Sequence, residues 1–147
     1  MDARLSSPEL PAGSAARSLA LAEEGADVAV NYVSSEAAAQ ELAERIQKLG
    51  RRAILAQADV ADYPDTFRMA HEVLAAFGHL DILINNAGIN SDKTFVKMDH
   101  ASWRKVLAIN LDGVFNCTKV LIDQMIKQNW GRVVVPAAYA RSECTGL

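Results

Sequence analysis

The sequence predicts an α/β domain built as a doubly wound parallel sheet, and three observations carry that expectation. Helical patterns and short apolar runs alternate along the chain. A glycine stands between helix and run at Gly25, Gly50, Gly78 and Gly131. The runs themselves are nearly continuous in Val, Ile and Leu, with little polar alternation. Strands of that composition are buried on both faces, which is the setting of parallel strands covered by helices on either side.

The elements follow in order. LALAEEG closes a helix over 15–24, and ADVAVNY holds a strand over 27–32. Leu42, Ile46 and Leu49 recur at helical spacing in a helix over 35–49, ahead of a strand over 53–58 in RRAILAQADV. Phe67, Ala70, Leu74 and Phe77 mark the apolar face of a helix over 64–77, and HLDILINNAG carries a strand over 80–85. Trp103, Val106, Asn110, Val114, Cys117, Leu121 and Met125 trace a stripe along a helix over 99–128, before GRVVV and a strand over 131–135. Each glycine stands where a helix end calls for a residue tolerant of positive φ. With no linker in sight, residues 1–147 are expected to form one domain.

Composition removes several function classes. The 147 residues are 50% hydrophobic and 22% charged, so disorder, collagen and coiled coil are excluded. Fifteen basic against eighteen acidic residues give a net charge of −3, and no basic run exceeds the pair Arg51–Arg52. No nucleic-acid footprint is expected from that balance. Apolar stretches fall far short of the roughly 20 residues of a membrane span, and MDARLSSPEL lacks an apolar signal core. A cytoplasmic protein with no membrane partner is therefore expected. Cys117 and Cys144 form no CxxC pair and His71, His79 and His100 are scattered, so no metal site is expected.

In an open parallel sheet, ligands sit beyond the carboxyl ends of the strands. The residues there are small and polar: Asn31 and Tyr32, then Asp59 and Val60, then Asn85, Asn86, Ala87 and Gly88. An Asn-Asn-Ala-Gly turn lets backbone approach a ligand closely while its amides tie neighbouring loops. On spacing alone it is equally an ordinary glycine turn.

Asp59-Val60, LDILINNAG at 80–88, Asn110 within VLAINLDGVFNCTK and GRVV at 131–134 together resemble the short-chain dehydrogenases/reductases. The bacterial 3-oxoacyl-[acyl-carrier-protein] reductases and acetoacetyl-CoA reductases are the members it is most like. The likeness runs from about Leu19 to Val134. It implies a Rossmann-like fold, NADPH-dependent reduction of a 3-oxoacyl thioester to the 3-hydroxyacyl thioester, and an acyl-thioester substrate on acyl carrier protein or coenzyme A. It implies that Asp59 accepts from the adenine amino group, that Val60 meets the ring nitrogen through its backbone, and that Asn85, Ala87 and Gly88 line the adenine ribose. For Asp59 the competing reading is a plain helix N-cap region beginning at Asp62. Asn110 would be the catalytic asparagine, kinking its helix and holding a water of the proton relay, and is expected to be buried. Asn31 stands where NAD-preferring relatives place a carboxylate, which implies NADP over NAD.

The resemblance fails toward both ends, 1–14 and 135–147. The family's first strand and its TGxxxGxG turn fall on Pro8, Ala12 and Ser14, and MDARLSS contains no run fit for a buried strand. Losing that strand, which lies centrally in the family's sheet, would open the middle of the sheet and weaken or abolish cofactor binding. The family's catalytic serine falls on Ala138, and its Tyr-x-x-x-Lys falls past Leu147; Tyr139 is followed four residues on by Glu143, which opposes the required pKa shift. Likeness that stops at both ends is what two reading-frame changes or a deletion leave. A truncated chain, inactive as written, is the expectation. The alternative is a non-catalytic partner that joins another copy or an intact reductase through helix 99–128, with Phe115, Cys117, Leu121 and Met125 at the interface.

Overall fold

The computed structural model describes residues 12–91 and 93–136. Expectations placed on Pro8, Ala138, Tyr139, Glu143 and Cys144 lie outside them. The chain runs α1 (Ala12–Glu23), β1 (Val28–Tyr32), α2 (Glu36–Lys48), β2 (Ala53–Gln57), α3 (Tyr63–Phe77), β3 (Ile82–Ile84), a 3-10 turn (Phe95–Lys97), α4 (His100–Leu107), α5 (Gly113–Lys127) and β4 (Arg132–Val134). A π-helical turn over Ala108–Asp112 joins α4 to α5, so the expected helix 99–128 is one run with a distortion inside it. Among the described residues no helix is long and apolar enough to cross a membrane.

Local chemistry sets most boundaries. Asp62 caps α3 by accepting from the Asp65 N–H at 3.0 Å, with Pro64 in the first turn. Gly78 ends it at φ 80°, a left-handed conformation that costs a residue with a Cβ about 1–2 kcal/mol. Gly25 and Gly50 end α1 and α2 in the same way. Gly131 does not, contrary to expectation: Asn129 takes the left-handed position after α5, at φ 56°. Gly131 is instead a close-packing residue, because a Cβ there would lie 2.7 Å from the Met125 side chain.

Helices cover both faces of the β1–β2 pair. On one face Ala22 of α1 and Ala39, Leu42 and Ile46 of α2 pack on Val28, Val30 and Tyr32 of β1. On the other, Met69 and Val73 of α3 and Cys117 of α5 enclose Ala56, Ala58 and Val60. The stripe read for α3 is rotated: Thr66, Met69, Ala70 and Val73 are buried, while Phe67 is 51% exposed. On the last helix Cys117, Leu121 and Met125 are buried in this chain's own core, leaving Phe115 exposed. Trp103, on α4, is also exposed.

The strands form two parallel pairs, β1 with β2 and β3 with β4. Val28 pairs with Ala53 and Tyr32 with Gln57; Ile82 pairs with Arg132 and Ile84 with Val134. The Val28 N–H donates to Arg52 O and the Ala58 N–H to Tyr32 O, so Val28, Val30 and Tyr32 turn their backbone groups toward β2. By the alternation of a parallel ladder, Ala29 and Asn31 point theirs the other way. The Arg132 N–H donates to Asp81 O and the Asn85 N–H to Val134 O, which likewise turns Ile82 and Ile84 away from β4. Between the two edges lies a cleft of about 1060 Å³, lined by β1, by β3 and by Met69, Val73, Cys117 and Leu121 beneath. Among the described residues this cleft stands where the opening in the middle of the sheet is expected. β4 is exposed along its length, contrary to the expectation of strands covered on both faces, because no described element lies over it.

Candidate functional site

The carboxyl ends of the strands converge on the upper part of the cleft. Asn31, Asp59, Val60, Asn85, Ala87 and Gly88 all line it. They reach it by different routes, and their hydrogen bonds separate holding groups from presenting ones.

Asp59 and Val60 form a tight turn between β2 and α3. The Asp59 N–H donates to Asp65 Oδ2 at 2.8 Å, and Asp59 Oδ1 accepts from the Ala61 N–H at 2.9 Å. The cap of α3 is Asp62, so Asp59 is not needed for capping. Its second carboxylate oxygen has no partner among the described residues, and neither has the Val60 N–H. The Val60 carbonyl is held from two sides, by Asn116 Nδ2 at 2.9 Å and by the Thr66 hydroxyl at 3.4 Å. The turn therefore offers one anionic acceptor beside one donor, on a fixed backbone.

The turn after β3 is held just as firmly. Asn85 is buried: its N–H donates to Val134 O at 2.9 Å and its Nδ2 to Thr118 Oγ1 at 3.2 Å, which ties β3 to β4 and α5. Asn86 accepts from the Arg17 guanidinium of α1, bringing a cation to the mouth of the cleft. Gly88 leaves the backbone bare, and a Cβ there would stand 3.5 Å from Asn110 Oδ1.

Asn110 sits within the π turn and makes a reciprocal pair with Ile89: Oδ1 accepts from the Ile89 N–H at 2.8 Å and Nδ2 donates to Ile89 O at 2.9 Å. It is exposed, not buried as expected, because the Ile89 backbone satisfies its amide without enclosure. Asn31 faces inward: its Nδ2 donates to Ala56 O and Ala58 O, each at 3.0 Å, and lies 3.3 Å from Met69 Sδ. What it contributes at the strand end is the absence of a carboxylate.

Burial pushes the Cys117 thiol in the cleft floor up to about 11, so it stays protonated at neutral pH and offers no nucleophile. Among the described residues no cluster of His, Cys, Asp or Glu could hold a metal ion. Arg17, Thr66, Asn116 and Thr118 belong to the site's framework and have no sequence signature. Each acts on a residue far away in the chain or, for Thr66, on a carbonyl in the preceding turn.

Comparison with known proteins places this arrangement. The pattern of the short chain dehydrogenase family matches residues 14–141. A 3-oxoacyl-[acyl-carrier-protein] reductase FabG of Staphylococcus aureus is 42% identical over 116 residues, covering 79% of this chain and 47% of that protein. Nodulation protein G of Azospirillum brasilense is 40% identical over 116 residues, covering 78% of this chain and 47% of that protein. The chain thus spans about half the length of the curated relatives it matches. Among solved structures, acetoin dehydrogenase YohF from Salmonella typhimurium superposes with a TM-score of 0.78 at 31% identity, over 92% of this chain and 53% of that one. An alcohol dehydrogenase from Thermococcus sibiricus, complexed with 5-hydroxy-NADP, shares the fold with a TM-score of 0.75 at 24% identity, over 84% of this chain and 51% of that one. With the family pattern spanning most of the chain and the fold matching as well, the protein belongs to the short chain dehydrogenase family of oxidoreductases.

Proposed function

We propose that these residues form the adenosine side of the dinucleotide site of a reductase that uses NADP to convert a 3-oxoacyl thioester to the 3-hydroxyacyl thioester. The observation that carries the reading is the Asp59–Val60 turn, which holds a carboxylate oxygen and an N–H without partners among the described residues and lines a cleft together with the Asn-Asn-Ala-Gly turn. Adenine presents the complement, an amino donor beside a ring-nitrogen acceptor. Asn85, Ala87 and Gly88 would line the ribose, with Gly88 allowing close approach. Asn31 places no negative charge against a 2′-phosphate, and Arg17 is a cation at the mouth of the same cleft.

When bound, the nicotinamide supplies the hydride. This chain's own residues bind and orient. Asp59 and Val60 hold the base, and Asn110, braced on the Ile89 backbone, would keep the segment after Gly88 in place and hold a water at its amide. The thioester substrate rests on likeness to proteins named for that reduction. Residues 1–147 stand in this reading as one dinucleotide-binding domain.

Titration of the chain with 2′,5′-ADP and with 5′-ADP, followed by amide NMR, tests the proposal. Both are expected to shift Val60 and Gly88, with the 2′-phosphorylated ligand the tighter. Shifts confined to other residues, or none, would overturn it.

A second reading is favoured by a specific feature. Leu111, Phe115 and Ile126 are 62%, 63% and 67% exposed along one helical face, an apolar surface suited to a second copy or an intact reductase. Co-purification with full-length reductase is expected in that case, and Phe115→Glu with Ile126→Glu should abolish it.

A further inference from the structure

We propose that Asn116, backed by Gly113, is the positioning residue that orients the Asp59–Val60 turn and so sets which purine the cleft accepts. The proposal rests on the adenosine reading given above. Asn116 is buried on α5, 56 residues from the carbonyl to which its Nδ2 donates. Thr66 reaches the same oxygen at 3.4 Å but makes its shorter bond, 2.8 Å, to Asp62 O, so Asn116 is the main holder of Val60 O.

The peptide between Val60 and Ala61 is gripped at both ends. Asn116 fixes its carbonyl, while its N–H donates to Asp59 Oδ1 at 2.9 Å. That second bond fixes the rotation of the Asp59 carboxylate and leaves Oδ2 as the oxygen to be presented. Behind the turn, Gly113 has no Cβ; one placed there would meet Val60 Cγ2 at 2.8 Å and Val60 O at 3.5 Å. The α5 backbone therefore lies directly against Val60 and leaves its Cα frame, and with it the free N–H, one orientation. A single amide on α5 governs both presented groups.

The presented pair discriminates by polarity. Adenine sets an amino donor against the carboxylate oxygen and a ring nitrogen against the N–H. Hypoxanthine sets a carbonyl and a ring N–H in the same places, so acceptor meets acceptor and donor meets donor. A site whose donor and acceptor are held on a fixed backbone rejects such a mismatch more strongly than a loose one, because rotation cannot relieve it.

The test compares AMP and IMP binding to the unaltered chain, to Asn116→Leu and to Asn116→Asp, with folding checked by circular dichroism. The unaltered chain is expected to prefer AMP, and both variants should lower the AMP-to-IMP preference by about two- to tenfold. A merely structural asparagine would weaken both nucleotides together and keep the ratio; an unchanged ratio in folded variants overturns the positioning role alone. No preference in the unaltered chain overturns the adenosine reading and the proposal with it. Hydrogen exchange in the unaltered chain gives a measurement that does not depend on the variants folding. AMP should slow exchange of both the Val60 N–H and the Asn116 side-chain amide, whereas slowing of Val60 alone counts against the proposal.

Discussion

Ile46→Ala is expected to destabilise the folded chain by about 2–5 kcal/mol, the range for removing a large buried aliphatic side chain and leaving a cavity. Ile46 is fully buried on α2, packed in a cluster with Val28, Val30 and Tyr32 of β1 and with Leu42 one turn earlier. β1 is hydrogen-bonded on one side only among the described residues, so the side chains laid on its face carry a large share of what holds it. Domains of this size are stabilised by about 5–15 kcal/mol in total, and a loss at the upper end of the range would leave little cooperative unfolding to observe. Urea denaturation followed by circular dichroism is the measurement. Leu49→Ala, three residues on and 45% exposed, serves as the control and should move the midpoint little. Equal midpoints for Ile46→Ala and the unaltered chain would contradict the packing described.

The second large effect concerns ligand. Asp59→Asn keeps an oxygen to accept from the Ala61 N–H, so the turn survives, but it replaces the free carboxylate oxygen with an amide donor. AMP binding is expected to weaken by about 1.5–3 kcal/mol, roughly tenfold or more, since hydrogen bonds to charged groups fall in that range. Melting temperature should stay near that of the unaltered chain, because Asp59 is exposed and does not cap α3. Calorimetric titration reads the first quantity and thermal unfolding the second. Undiminished AMP affinity would remove Asp59 from the site.

The features legible in the sequence are those with local causes. Gly25, Gly50 and Gly78 announce helix ends because only the backbone at that residue decides whether a Cβ is tolerated. Asp62, the start of the N-cap region read from the sequence, announces the start of α3 for the same reason. Where the cause is a neighbour distant in sequence, reading fails. Gly131 looks like a fourth helix stop, yet its smallness serves Met125 and the left-handed position belongs to Asn129. The face of α3 is rotated away from Phe67 because Thr66 and Met69 meet Val60 and Asn31, contacts that no periodicity encodes. In the candidate site, Asp59, next to Val60, and the Asn-Asn-Ala-Gly turn stand out as small or polar residues at strand ends. Asn116 and Thr118 do not, since on a helical stripe they look like any interior polar position. Asn110 was legible as a residue but not in its environment: its exposure follows from an Ile89 backbone that lies 21 residues away.

The cleft between β1 and β3 also bears on how the molecule moves. The two strand pairs are joined through α3 lying on α5, through one apolar cluster that includes Ala56, Val73, Cys117 and Leu83, and through the side-chain ties of Asn116 to Val60 O and Arg17 to Asn86, with no ladder between them among the described residues. Ladder hydrogen bonds lock strands into discrete registers, whereas apolar side chains slide against one another in small steps. The halves of this chain should therefore breathe by graded shear, each keeping its own pairing while the cleft widens and narrows. The Asp59–Val60 turn and Gly88 approach the cleft from opposite halves, yet Asn116 holds the first and Asn110 braces the second on one helical run, so the span between them is the part of the cleft that such breathing should change least.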